Sequence, residues 1–162
     1  MNRPAEKLQH YGHQQGRGME NNTFGNLKDW GPVLESMEKL AKTGKLGDCQ
    51  SELIRVLRYD DNWRLREAAI EYLADIRNPS PELIDEVYAI MMREDLYYDV
   101  RILAAYALGK VISSYSKNAK SGETAANQNS GKVIDGMKRL LEDPQPPILH
   151  KAIRMSLEQI KG

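Results

Sequence analysis

Asp60 to Ile76 reads DDNWRLREAAIEYLADI. Behind a polar entry turn its apolar residues recur at helical spacing, so it reads as one amphipathic helix. The pattern returns in Asp95 to Val111, DLYYDVRILAAYALGKV. Arg66 becomes Arg101, Ala69 becomes Ala104, Leu73 becomes Leu108 and Ile76 becomes Val111. In both copies an Asp, Asp60 or Asp95, stands six residues before the Arg. The period is 101 − 66 = 35 residues, enough for two helices and two turns. The repeating unit is therefore a helical hairpin.

Working outward, Asp48 is a plausible N-cap for a preceding helix carrying Leu53, Ile54 and Leu57. Asn78-Pro79-Ser80-Pro81 punctuates the repeat: Pro79 stops one helix, Ser80 caps the next and Pro81 takes its first position. Leu83, Ile84, Val87, Tyr88, Ile90 and Met91 then supply the first helix of the second repeat. A weaker third repeat has Val133, Ile134, Met137, Leu140 and Leu141 in one helix and Ile148 to Ile160 in the other. His150 stands there where Arg66 and Arg101 stood, at a spacing of 150 − 101 = 49, which is 14 residues over the period. Most of that excess falls in residues 116–130, a polar stretch expected to be a long flexible loop. Upstream, Pro32 to Ala41 reads as an opening helix closed by Gly44 and Gly47. Residues 1–26 lack periodicity and are expected to be a mobile tail, with the repeat domain covering 27–162.

Composition is that of an ordinary globular chain, with 41% hydrophobic and 28% charged residues. Lys plus Arg and Asp plus Glu both number 23, so zero net charge gives no overall footprint for nucleic acid or an anionic membrane. No apolar run approaches the ~20 residues of a membrane span. The N-terminal residues have no apolar secretory core, so a cytoplasmic location is expected. A single cysteine, Cys49, forms no intrachain disulfide and reads as a small helix residue. His10 and His13 lack the further ligands a metal needs.

An Asp six residues before a hydrophobic-Arg pair, with Ala at +3 and Leu at +7, resembles the HEAT repeat. It is most similar to the short bacterial HEAT-like type found in phycobilisome lyases. The matching residues are Asp60, Leu65, Arg66, Ala69, Leu73 and Ile76, then Asp95, Val100, Arg101, Ala104, Leu108 and Val111. The resemblance implies an all-α fold: a right-handed α-α superhelix, or solenoid, of about three helical hairpins plus an N-terminal helix. It also implies that Asp60, Arg66, Asp95 and Arg101 form a structural ladder of Asp–Arg pairs along the turns, one that stops at His150. A charge at a packed turn must be matched, which agrees with that role.

The resemblance further implies a concave surface lined by the second helix of each hairpin. Positions one, five and nine after the Arg share one helix face, opposite the Ala/Leu stripe. They are Glu67, Glu71 and Asp75, then Ile102, Tyr106 and Lys110, then Lys151, Met155 and Gln159. Three carboxylates in the first set repel a phosphate backbone. Ile102 and Tyr106 are large apolar groups on a solvated row, the composition of a contact surface. Ile148, Leu149, Ala152, Ile153, Met155, Leu157 and Ile160 spread widely round the last helix, which suggests self-association or burial on the previous repeat.

No phosphate-binding Gly loop, metal-ligand spacing or Gly-x-Ser-x-Gly elbow is present in the sequence. Glu67 and Glu71 on an open helix face lack the enclosed cleft that acid–base work needs. The expectation is a non-catalytic, cofactor-free adaptor or scaffold that binds a protein partner through Glu67, Glu71, Ile102, Tyr106, Lys110, Lys151 and Met155. The alternatives are a HEAT-like protein gripping a nucleic-acid backbone, and an accessory lyase or chaperone of a cofactor.

Overall fold

The computed structural model describes residues 23–118 and 124–162. They form seven α-helices and no strand. These are α1 (Trp30–Lys42), α2 (Gln50–Leu57), α3 (Trp63–Leu73), α4 (Pro81–Met92), α5 (Tyr98–Asn118), α6 (Thr124–Glu142) and α7 (Pro147–Lys161), with a 3₁₀ turn at Leu46–Cys49 before α2. No helix among the described residues is long and apolar enough to cross a membrane.

Local chemistry sets the ends. Asn62 accepts from the Arg64 N–H at 3.0 Å and starts α3. Ser80 accepts from the Leu83 N–H at 3.2 Å, with Pro81 first in α4. Gly44, at φ +71°, ends α1, and the Lys45 N–H returns to the Leu40 carbonyl at 2.9 Å.

The helices form two layers. One holds α1, α3, α5 and α7, each against the next; the other holds α2, α4 and α6 in the same way. The pairs α2/α3, α4/α5 and α6/α7 join the layers as hairpins. Between them lies one apolar core that includes the repeated stripe of Ala69, Leu73, Ala104 and Leu108. Two glycines allow close approach. A Cβ on Gly109 would lie 2.9 Å from Ser156 Cβ and 3.1 Å from its Cα, so α5 and α7 meet nearly backbone to backbone. A Cβ on Gly136 would run into the Tyr88 ring and hydroxyl, where α6 crosses α4.

The turn ladder differs from the expected chain of Asp–Arg pairs. Arg66 bonds the Asp60 carboxylate and also donates Nε to the Leu57 carbonyl at 3.2 Å. Arg101 does not pair with Asp95. It donates Nε to the Met91 carbonyl at 2.9 Å and Nη1 to Gln145 Oε1 at 3.4 Å. Asp95 is taken by Arg93 through bonds of 3.0 and 2.7 Å, which hold its carboxyl below the usual range. Backbone explains the exchange. Arg58, one period before Arg93 (93 − 58 = 35), is helical and reaches Glu86 at 3.0 Å. Arg93 is extended, with ψ 120°, and its side chain turns back to Asp95.

At His150 no carboxylate pair is made among the described residues, but a bond to the preceding helix end is kept. Its Nε2 lies 2.9 Å from the Leu140 carbonyl and 3.1 Å from that of Asp143. Both partners are acceptors, so Nε2 carries the proton. All three turns thus place a nitrogen donor on a carbonyl nine or ten residues back, at 66 − 57, 101 − 91 and 150 − 140.

Two further expectations change. The stretch 116–130 is not one long loop: α5 runs to Asn118 and α6 begins at Thr124. Tyr115 donates to the Pro79 carbonyl at 2.7 Å and Asn129 to the Pro81 carbonyl at 3.1 Å, tying both helix ends to the start of α4. Of the expected tail 1–26, residues 1–22 lie outside the described residues, with His10 and His13 among them. Residues 23–26 belong to the packed unit. Phe24 is buried, its N–H donates to buried Glu52, and Arg55 ties Glu52 to the Gly25 carbonyl.

Candidate functional site

The layer of α1, α3, α5 and α7 turns one face to solvent. Residues four apart share a helix face, so each helix contributes a ridge of side chains. The ridges are Trp30, Leu34, Glu38 and Lys42 on α1; Trp63, Glu67, Glu71 and Asp75 along and just beyond α3; Tyr98, Ile102, Tyr106 and Lys110 on α5; and Lys151, Met155 and Gln159 on α7. The second-helix positions singled out in the sequence therefore lie side by side, and α1 adds a fourth ridge.

Contacts between ridges fix the arrangement. Tyr106 Oη lies 3.7 Å from Met155 Sδ, joining α5 to α7. Tyr106 is 37% and Met155 49% exposed, while Ile102 is half-buried against the core. Arg64 lies over both the Trp30 and Trp63 rings, at 5.6 and 5.4 Å from their centroids, and joins α1 to α3. Lys110 and Lys151 are exposed and enter no ion pair among the described residues.

Electrostatics single out an acidic corner. Burial raises the Glu67 carboxyl above its ordinary value, and the negative charges of Glu71 and Asp99 add to the rise. Asp99 reaches this corner from the first turn of α5. Next to it, burial raises the Tyr72 hydroxyl, with Glu38 and Glu71 adding. Such a corner repels phosphate and favours a cationic side chain. No group of three or more potential metal ligands occurs among the described residues. A cleft of about 530 Å³ opens at the far end of α1 and α3, lined by Gly44, Tyr72, Asp75, Arg77 and Asn78 among others. Glu67 stands outside it, and Asp75 is the one ridge position that reaches it.

The last helix is largely covered by its own chain. Leu149, Ala152 and Ile153 are fully buried, and Leu157 and Ile160 pack on the core. Ile148 and Met155 alone of that arc are exposed.

The sequence reading passed over four exposed aromatic side chains. Trp30, Trp63, Tyr97 and Tyr98 stand at or beside the starts of α1, α3 and α5. The repeat carried the signal, since Trp63 and Tyr98 are one period apart (98 − 63 = 35), three residues before each Arg. Compared with family models, curated proteins and solved structures, the chain matches none.

Proposed function

We propose that this protein is a non-catalytic protein-binding module of the HEAT-like solenoid kind, an adaptor or scaffold subunit that holds a partner across the ridges of α3, α5 and α7. The two-layer order of the helices supports the solenoid reading. The observation that carries the binding site is the Tyr106–Met155 contact, a half-exposed aromatic–thioether pair on an otherwise solvated face. Interface centres are enriched in aromatic and Met side chains, and charged rims set orientation rather than bulk affinity. Here Tyr106, Met155 and Ile102 are the centre, with Glu67 and Glu71 on one rim and Lys110 and Lys151 on the other. The single cysteine, buried in the domain, suits a reducing cytoplasm.

The test is a nuclease-treated co-purification of wild type and a Tyr106→Ala, Glu67→Lys double variant, both shown folded by circular dichroism. A protein recovered with wild type and lost with the variant supports the face. Equal recovery with both removes it. Recovery abolished by nuclease alone points to nucleic acid instead.

A further inference from the structure

The face centred on Tyr106 and Met155 is level from helix to helix. Arg66, Arg101 and His150 each bond a carbonyl at the end of the preceding helix, at 3.2, 2.9 and 2.9 Å. One residue on, Glu67, Ile102 and Lys151 therefore stand at one height on α3, α5 and α7. Four residues further, Glu71, Tyr106 and Met155 stand at the next. The Tyr106–Met155 contact of 3.7 Å shows that match directly. The middle helix is α5, with α3 packed on one side and α7 on the other.

Charge is divided between the two outer ridges. The α3 ridge carries Glu67, Glu71 and Asp75, and Asp99 of α5 adds to that side. Of the exposed cations on and just after α3, Arg64 lies over the indoles and Arg77 lines the cleft. On α7, Lys151, Arg154 and Lys161 outnumber Glu158, and α5 carries Lys110 and Lys117 towards its end. On α1, Glu35 and Glu38 balance Lys39 and Lys42. Neither Glu67 nor Lys151 enters an ion pair among the described residues. Burial raises the Glu67 carboxyl, so a cation from outside would relieve it.

A two-fold interface needs a face complementary to itself, where residue i of one copy meets j of the other and j meets i. A two-fold axis parallel to α5, lying between two copies, sets α3 of each over α7 of the other. Glu67 of one copy then meets Lys151 of the other, and the pair is made twice. Glu71 meets Met155, and Tyr106 meets its own equivalent at the centre. Lys110 also meets its own equivalent, with Asp75 at the same height on the next ridge to take the charge. Zero net charge leaves no overall repulsion between copies.

We propose that this face binds a second copy of the chain, as a symmetric dimer with two Glu67–Lys151 contacts around a Tyr106 centre. The proposal rests on the reading of that face as a binding site, and names its partner. The apolar arc of α7 is not the contact, since only Ile148 and Met155 of it are exposed.

Sedimentation equilibrium of the full chain tests it. Wild type is expected to be a reversible dimer that weakens as salt rises. Glu67→Lys and Lys151→Glu each set like charges against one another twice, and each raises the dissociation constant at least about tenfold. Mixed in equal amounts, the two variants form a heterodimer of wild-type affinity, because each substitution then meets the opposite charge. Lys138→Glu, the same charge change on the opposite layer, dimerises as wild type. Circular dichroism checks each fold. A wild type that stays monomeric up to about 1 mM overturns the proposal. So does a mixture that associates no better than either variant alone. A monomeric wild type whose co-purified protein is still lost with Tyr106→Ala, Glu67→Lys removes the second copy and leaves the face to another protein. A dimer that neither Glu67→Lys nor Lys151→Glu weakens places self-association elsewhere.

Discussion

Arg66 and Arg101 occupy the same register position, and both are buried. Their surroundings are not the same. Arg66 has a carboxylate at one end and two carbonyls along its length. Arg101 has a carbonyl, a glutamine and the Tyr98 ring at 5.8 Å; among the described residues no carboxylate bonds it, and its buried Nη2 has no hydrogen-bond partner. Burial pulls its guanidinium below the ordinary value, with Glu94 and Tyr98 opposing. The shared element is the bond to the end of the preceding helix, which His150 makes as well. A helix C-terminus leaves carbonyls unsatisfied, so a buried turn needs a donor there, and a matching carboxylate is optional.

The largest effects should come from deleting the donor in either turn. Arg66→Ala and Arg101→Ala each leave a buried carbonyl unpaired and open a cavity, and each should cost about 2–4 kcal/mol in urea unfolding. A cost below 1 kcal/mol in either would show that its carbonyl bond is dispensable. Next is Met, which keeps volume and loses the charge. Arg101→Met also leaves the Met91 carbonyl unpaired, but it removes an unsatisfied N–H and a desolvated charge that offset part of that loss, so it should cost about 1 kcal/mol. Arg66→Met should cost about 2 kcal/mol, and equal losses at the two sites would erase the contrast.

A double-mutant cycle gives a smaller number and a sharper test. Asp60 is 67% exposed, so its coupling to Arg66 should be about 0.5–1 kcal/mol. Asp95 and Arg101 should show none, and a measurable coupling there would restore the Asp–Arg ladder. The smallest effect concerns the residue after Arg66. Folded Glu67 holds its proton more tightly than the unfolded chain does. Its penalty is therefore absent at low pH and appears as pH rises through the raised folded value. Glu67→Gln should stabilise by about 0.5 kcal/mol or less at pH 7, and the gain should vanish below about pH 4. A gain that persists in acid would mean the side chain acts by packing instead.

Much of the helix plan could be read from residues alone. Pro81, Ser80 and Asn62 act within four residues of themselves, so helix starts are local chemistry. The Ala69–Leu73 and Ala104–Leu108 stripe follows from period alone, and every member is buried. The face positions Tyr106 and Met155 were legible by the same arithmetic. Trp63 and Tyr98 could have been found that way too, but they precede the Arg that anchored the register. Residues 116–130 misled because a polar helix end has no apolar stripe of its own.

Spacings of three, four and 35 residues set most of the helix positions, the stripe they bury and the positions that share a face. Which charge meets which follows from the packing of the hairpins. Arg93 captures Asp95 through one extended residue, Asp99 reaches Glu67 from the next hairpin, and Arg64 joins two indoles on neighbouring helices. Long side chains choose partners within a few ångströms, and small backbone differences at a turn redirect them where period cannot.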